Sequence, residues 1–221
     1  MKTISIAFLI LLCTTFLSCK KDAVNQNASI SYQLKTKNPS TVLGRTSGTL
    51  TWTSGYAYVT EIKFEAESDC KIESQSEIKK KFSTSNPQKI DLFAPLVVLG
   101  NLPVVPCDYR NAKIEIEIVP NGGNAALELT GTYNTTPVIL RINSALEIEG
   151  AGGTKGITSG TEYVAITSLN LGLLTMGISG AELDAATLDS TGKILISATS
   201  NTNLYQKILN NFHDIDEEDF H

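Results

Sequence analysis

Tyr58-Val59-Thr60-Glu61-Ile62-Lys63-Phe64-Glu65-Ala66-Glu67 is the stretch whose reading decides the fold. In an extended chain, successive side chains point to opposite faces. Tyr58, Thr60, Ile62, Phe64 and Ala66 therefore share one side, and Glu61, Lys63, Glu65 and Glu67 share the other. An apolar face backed by a charged one is the pattern of a half-buried strand.

The same period of two extends in both directions. Upstream, Ile30, Tyr32 and Leu34 alternate with Ser31, Gln33 and Lys35; residues 39–48 read as a loop, and Leu50 and Trp52 open a strand that Ser54-Gly55 interrupts. Downstream, residues 78–82 and 89–93 read as two short strands on either side of a polar break at 83–87. Pro95, Pro103 and Pro106 confine the next Val- and Leu-rich segment to edge strands or loops, because proline cannot donate to a ladder. Residues 112–120 alternate cleanly, Asn121-Gly122-Gly123-Asn124 is a hairpin turn, and Leu127, Leu129 and Tyr133 lie on a returning strand. Residues 137–143, 145–149, 163–171 and 193–198 complete the strands, and the glycine-rich residues from Gly150 to Gly160 read as a flexible loop. Helix signals come late. Residues 181–186 favour a short helix, and Ser200 or Asn201 can cap a terminal helix on which Leu204, Ile208, Leu209 and Phe212 share a face. About ten strands with so little helix describe an all-β sandwich, transthyretin- or immunoglobulin-like, with one or two short C-terminal helices.

The N-terminus sets the expected compartment. Lys2, the apolar run Ile4 to Leu12, and Ser18 before Cys19 have the layout of a secretory signal peptide. The cysteine after Phe16-Leu17-Ser18 makes it resemble a bacterial lipoprotein signal, which implies cleavage and acylation at Cys19. The expected organisation is a signal peptide over residues 1–18, a polar tether over 19–29, one domain over 30–213 and a solvated acidic tail over 214–221. Lys20-Lys21-Asp22 resembles the charged start of lipoproteins that some diderm bacteria carry to the outer face of the outer membrane. Cys70 and Cys107 then remain as an even pair in an oxidising compartment, where a disulfide is the default expectation.

The net charge of −5, with Lys79-Lys80-Lys81 as the longest basic run, argues against nucleic acid as a partner. The two histidines, His213 and His221, lie in the last nine residues, which is a poor place from which to build a buried catalytic triad. Glu65 with Glu67, and Glu115 with Glu117, have a spacing that a glycosidase pair could use, yet each alternates with core residues as a solvated sheet face does. Trp52, Tyr56 and Tyr58 could stack on sugar, although Trp52 and Tyr58 fit the inward phase of their strands. No catalytic, cofactor-binding or metal-binding residue is assigned.

Leu102-Pro103-Val104-Val105-Pro106-Cys107-Asp108-Tyr109-Arg110-Asn111-Ala112-Lys113-Ile114-Glu115-Ile116-Glu117 resembles a loop-to-strand segment of an uncharacterised β-sandwich domain family in bacterial surface lipoproteins. Cys107 stands where that pattern usually has Gly, and Lys20-Lys21-Asp22 after the lipidation cysteine fits the same group. The resemblance implies a lipid-anchored, non-enzymatic surface protein that binds a glycan or protein partner or serves a structural role. A fimbrial or adhesin subunit built by strand exchange is the first alternative, and a glycan-binding or glycan-active protein the second.

Overall fold

The computed structural model describes residues 27–38, 41–43, 48–68, 70, 77–212 and 216–220. Cys19 and nearly all of the tether lie outside the described residues. The chain is an all-β sandwich with short C-terminal helices. Its strands are β1 (Ala28–Lys37), β2 (Thr41–Leu43), β3 (Gly48–Ser68), β4 (Glu77–Asp91), β5 (Val97–Val104), β6 (Cys107–Ile118), β7 (Leu127–Tyr133), β8 (Thr136–Ile142), β9 (Leu146–Ile157) and β10 (Glu162–Asn170). Helices α1 (Leu171–Leu174) and α2 (Gly180–Asp184), strand β11 (Ile194–Ile196), helix α3 (Thr202–Phe212) and strand β12 (Asp216–Phe220) follow.

One sheet has the order β12-β10-β1-β5, with β1 parallel to β10 and antiparallel to β5. The other is organised around β3, whose 21 residues are long enough to serve several partners in succession. Its second half pairs with β4 on one edge and β6 on the other, while its first half pairs with β2 and β7. β9 joins β6, β8 joins β7, and β11 runs parallel to β8 at the far edge. β5 lies against β4 and β12 against β9, so the two layers meet at both flanks. Ile30, Tyr32 and Leu34 from one layer and Ile62, Phe64, Ile114 and Ile116 from the other belong to one continuous apolar core. Pro103 sits on β5, an edge strand, as its missing donor requires.

A crease crosses the β3 sheet. The β3 registers with β4 and with β6 both shift between Val59 and Glu61, leaving Thr60 as an extra residue. At that level β4 carries residues 84–87 without β3 partners, β6 gives way to β7, and β8 gives way to β9. A bulge of this kind inverts the side-chain phase, and it corrects the expected faces. Tyr56 pairs with Asp91 and Glu128, and Tyr58 with Lys89, whereas Ala57 pairs with the buried Ile90 and Leu127. Tyr56 and Tyr58 therefore belong to the outward face with Glu61, Lys63, Glu65 and Glu67, not to the inward face with Ile62 and Phe64.

Other expectations change for related reasons. Ser54-Gly55 does not end β3; the break is absorbed as a register shift against β7 between Trp52 and Ser54. The segments at 78–82 and 89–93 are two parts of one strand, β4. The turn at 121–124 forms, with Gly122 and Gly123 at φ +58° and +82°, yet β6 and β7 do not pair with each other. They line up one after the other along β3. The stretch expected as a loop from Gly150 to Gly160 is strand as far as Ile157, because β6 offers it a partner edge and Gly153, at φ +66°, accommodates the ladder's irregularity. Residues 216–220, expected in a solvated tail, instead pair with the free edge of β10.

Helix α1 packs against α3 and β1, and α3 also packs against β11. Ser179 caps α2 in a capping box: its hydroxyl accepts from the Glu182 amide at 3.3 Å, and the Glu182 carboxylate accepts from the Ser179 amide at 2.9 Å. Tyr133 of β7 donates to the Gly180 carbonyl at 3.1 Å and to Asp184 at 3.0 Å, and Lys207 of α3 reaches Glu182 at 2.7 Å. Leu204, Ile208 and Phe212 are buried as expected, joined by Tyr205, with Leu209 partly buried against the core. Asn201 does not cap α3 with its side chain. It instead donates to the carbonyls of Thr187 and Leu195 and accepts from the Thr187 amide.

Candidate functional site

The outward face of the β3 sheet differs on the two sides of the crease. On the β6 side it is a charge lattice. In-register neighbours form the rows Lys79–Glu65–Lys113 and Lys81–Lys63–Glu115–Glu149 across the strands. Lys79 meets Glu65 at 3.2 Å, Lys113 meets Glu149 at 2.6 Å, and Lys63 forms an ion pair with Glu115. The next row, Ser83–Glu61–Glu117–Glu147, has no cation of its own. Lys81 leans over from the adjacent row to Glu61 at 3.1 Å, and Ser83 donates to the same carboxylate at 2.6 Å. The Ser83 bond, followed by Lys81, holds Glu61 below the ordinary carboxylate range. Glu115 is only 7 % exposed. Burial pushes its carboxyl up, but the bonds to Lys63 and Glu147 outweigh that and hold it down. Glu147 is raised, by loss of water around its carboxyl and by the hydrogen bond it shares with Glu115.

This arrangement accounts for the paired carboxylates noted in the sequence. Glu65 and Glu115 have their charges answered by neighbouring lysines, and Glu67 accepts from the Asn111 side chain at 3.1 Å. Among the described residues, no group of three or more His, Cys, Asp or Glu side chains is placed to hold a metal ion. A cleft of about 340 Å³ lies at the end of the lattice, where Glu117 and Glu147 meet Ser144, Leu146, Leu209 and Phe212.

On the other side of the crease lies a cleft of about 470 Å³ lined by Ser54, Gly55, Tyr56, Lys89, Ile90, Asp91, Glu128 and Thr130. β3, β4 and β7 position these side chains, all three strands anchored beneath by the core residues Ala57, Ile90, Leu127 and Leu129. Tyr56 is half-buried with its ring edge-on to Tyr58 at 5.5 Å, and the Lys89 ammonium stands 4.3 Å from the ring centre. Burial, then the nearby Glu128 charge, raises the Tyr56 phenol, so it remains a neutral donor at physiological pH. Arg141 of β8 holds one oxygen of Glu128 at 2.8 Å, and one oxygen of Asp91 accepts from the Phe93 amide at 2.9 Å.

Of the three aromatic residues considered for sugar stacking, Trp52 is 3 % exposed and Tyr58 is 8 % exposed, which makes both packing residues. Tyr56 alone of the three lines the 470 Å³ cleft. Its companions Lys89, Asp91, Glu128 and Thr130 were not singled out from the sequence. The alternation of Glu128 and Thr130 with Leu127 and Leu129 was the available signal for two of them. Cys70 and Cys107 form a disulfide with Cα atoms 5.9 Å apart, tying the start of β6 to the chain just beyond β3. Cys19 lies outside the described residues, as do both histidines.

No family model matches the chain, and neither a curated protein nor a solved structure matches it.

Proposed function

We propose that the chain is an exported, lipid-anchored cell-envelope protein, carried to the outer membrane and displayed at the cell surface, whose β-sandwich binds a partner without transforming it. The observation that carries this reading is the Cys70–Cys107 disulfide. Such bonds persist in oxidising compartments outside the cytosol, in agreement with a signal peptide over residues 1–18 and a lipidated Cys19. One acyl chain holds a protein only marginally, so stable retention takes at least two, attached on and beside Cys19. The binding role is supported by the open cleft at Tyr56, which is built on strands rather than on loops.

Strand exchange through the first strand, as in a fimbrial subunit, is the less favoured reading. β1 is hydrogen-bonded on both edges, to β10 and to β5, so its displacement would break two ladders. The test is Cys19→Ala followed by membrane fractionation and intact mass. Wild type should lose residues 1–18, gain acyl groups and sediment with the membrane, while the variant should be released or remain an uncleaved precursor. A mature, membrane-bound variant, or a wild-type N-terminus without lipid, would remove the anchor.

A further inference from the structure

From the atoms that line the Tyr56 cleft, we infer that it is a subsite for a neutral saccharide. The inference rests on the binding role proposed above and is independent of the lipid anchor. Three observations converge on this ligand class.

The first is the supply of uncommitted polar atoms. Among the described residues, the hydroxyls of Ser54, Tyr56 and Thr130 and the Lys89 ammonium have no hydrogen-bond partner. Asp91 and Glu128 each use one carboxylate oxygen and leave the other free. The cleft therefore offers donors and acceptors side by side. A sugar hydroxyl, which both gives and accepts, uses such a set more fully than a ligand that only donates or only accepts. The second is charge. Lys89 and Arg141 balance Asp91 and Glu128, so no net charge selects a cation or an anion, and an ionic ligand would leave one pair of side chains opposed to it. The third is shape. The volume of about 470 Å³ falls within the ~300–1,000 Å³ typical of small-ligand sites. Tyr56 is the aromatic surface available to the C–H face of a sugar ring. Lys89, exposed and carried on a flexible stem, covers that ring now and can swing aside to bond a hydroxyl.

The charge lattice beyond Thr60 has no such supply. Most of its cations are already spent on carboxylates.

The experiment is native affinity electrophoresis of the full chain in detergent, through gels containing dextran, mannan or xylan, with alginate and polygalacturonate as anionic counterparts. At least one neutral polymer should retard the protein. Tyr56→Ala and, separately, Asp91→Asn should weaken that retardation by about tenfold, equivalent to 1.4 kcal/mol, with unchanged melting temperatures. Lys79→Ala, on the lattice, should leave it intact. No retardation by any neutral polymer, or retardation that Tyr56→Ala leaves unaltered, overturns the inference. Retardation by the anionic polymers alone, abolished by Tyr56→Ala, also overturns it but leaves the broader binding role standing.

Discussion

The two halves of the outward face are made by the same strand and separated by one residue, Thr60, yet they treat their polar groups in opposite ways. Beyond Thr60, most of the charges on β3 and β6 are answered by a neighbour in the same row or the next. Before it, Tyr56 and its neighbours leave six polar side chains with atoms to spare. Charged residues in alternation mark a solvated sheet face whether or not they have work to do. What separates a structural surface from a binding surface is how many of its donors and acceptors remain uncommitted once the strands have paired.

The sharpest way to break this comparison is to charge the inward face that the crease creates before Thr60. Ala57 is fully buried and flanked by Ile90 and Leu127, so Ala57→Asp would set an unpaired charge in the core. The expected cost is about 3–5 kcal/mol, the scale of an uncompensated buried charge, read as a large fall in the urea midpoint. A variant as stable as wild type would show that the crease does not set the two faces.

The lattice half is also clamped covalently. Replacing Cys70 and Cys107 with Ala should destabilise the fold by about 2–4 kcal/mol in urea denaturation, because the bond closes a loop with a sequence separation of 37. Mature protein that takes up two alkylating groups without reductant would show that the clamp does not form.

The helices are clamped to one another by charge. Lys207, followed by the Ser179 bonds, lowers the Glu182 carboxyl to about 2. A depressed acid contributes stability above its unfolded value of 4.5 and loses it as pH falls toward 2. The pair is more than a third exposed, so solvent screens most of that contribution. Glu182→Gln should cost about 0.5–1 kcal/mol at pH 7, and the difference from wild type should shrink as pH falls from 4.5 toward 2. A constant difference across that range would assign the loss to packing.

The smallest expected effect runs in the opposite direction. Glu147 is raised, so its contribution is present below its unfolded value and lost as pH climbs through its folded one. Glu147→Gln keeps a donor toward Glu115 without the proton, and should stabilise the protein by about 0.2–1 kcal/mol at neutral pH, the scale of like charges placed opposite each other. The gain should vanish in acid. Destabilisation at pH 7 would mean that the two carboxyls do not repel each other there.

The architecture was legible where the period of two was unbroken. β1, the run of β6 from Ala112 onward, β7 and the buried face of α3 match their alternation or helical spacing because burial enforces one phase over each of these runs. The crease was not legible. Thr60 belongs to an uninterrupted alternating pattern, and nothing local reveals that one residue there is left unpaired; only the combined pull of β4, β6 and β7 decides it. That hidden bulge is why the alternation points Tyr58 inward while the sheet turns it outward. It is also why the cleft residues, spread from Ser54 to Thr130, could not be joined before the sheet order was known. The Cys70–Cys107 bond was readable because only two cysteines remain once the expected signal peptide and the expected lipid-bearing Cys19 are set aside. β12 was not, because its acidic residues have low strand propensity and form a strand only where β10 offers an open edge.

The central claim is that the cleft before Thr60 binds and the lattice beyond it supports. The most direct measurement is NMR chemical-shift mapping of the full chain, titrated with a short oligosaccharide of whichever neutral polymer retards it. The account predicts amide shifts concentrated at Ser54, Tyr56, Lys89, Asp91 and Glu128, with Lys63, Glu65 and Glu115 unmoved. Shifts centred on the lattice, or none at the cleft at saturating ligand, would contradict it.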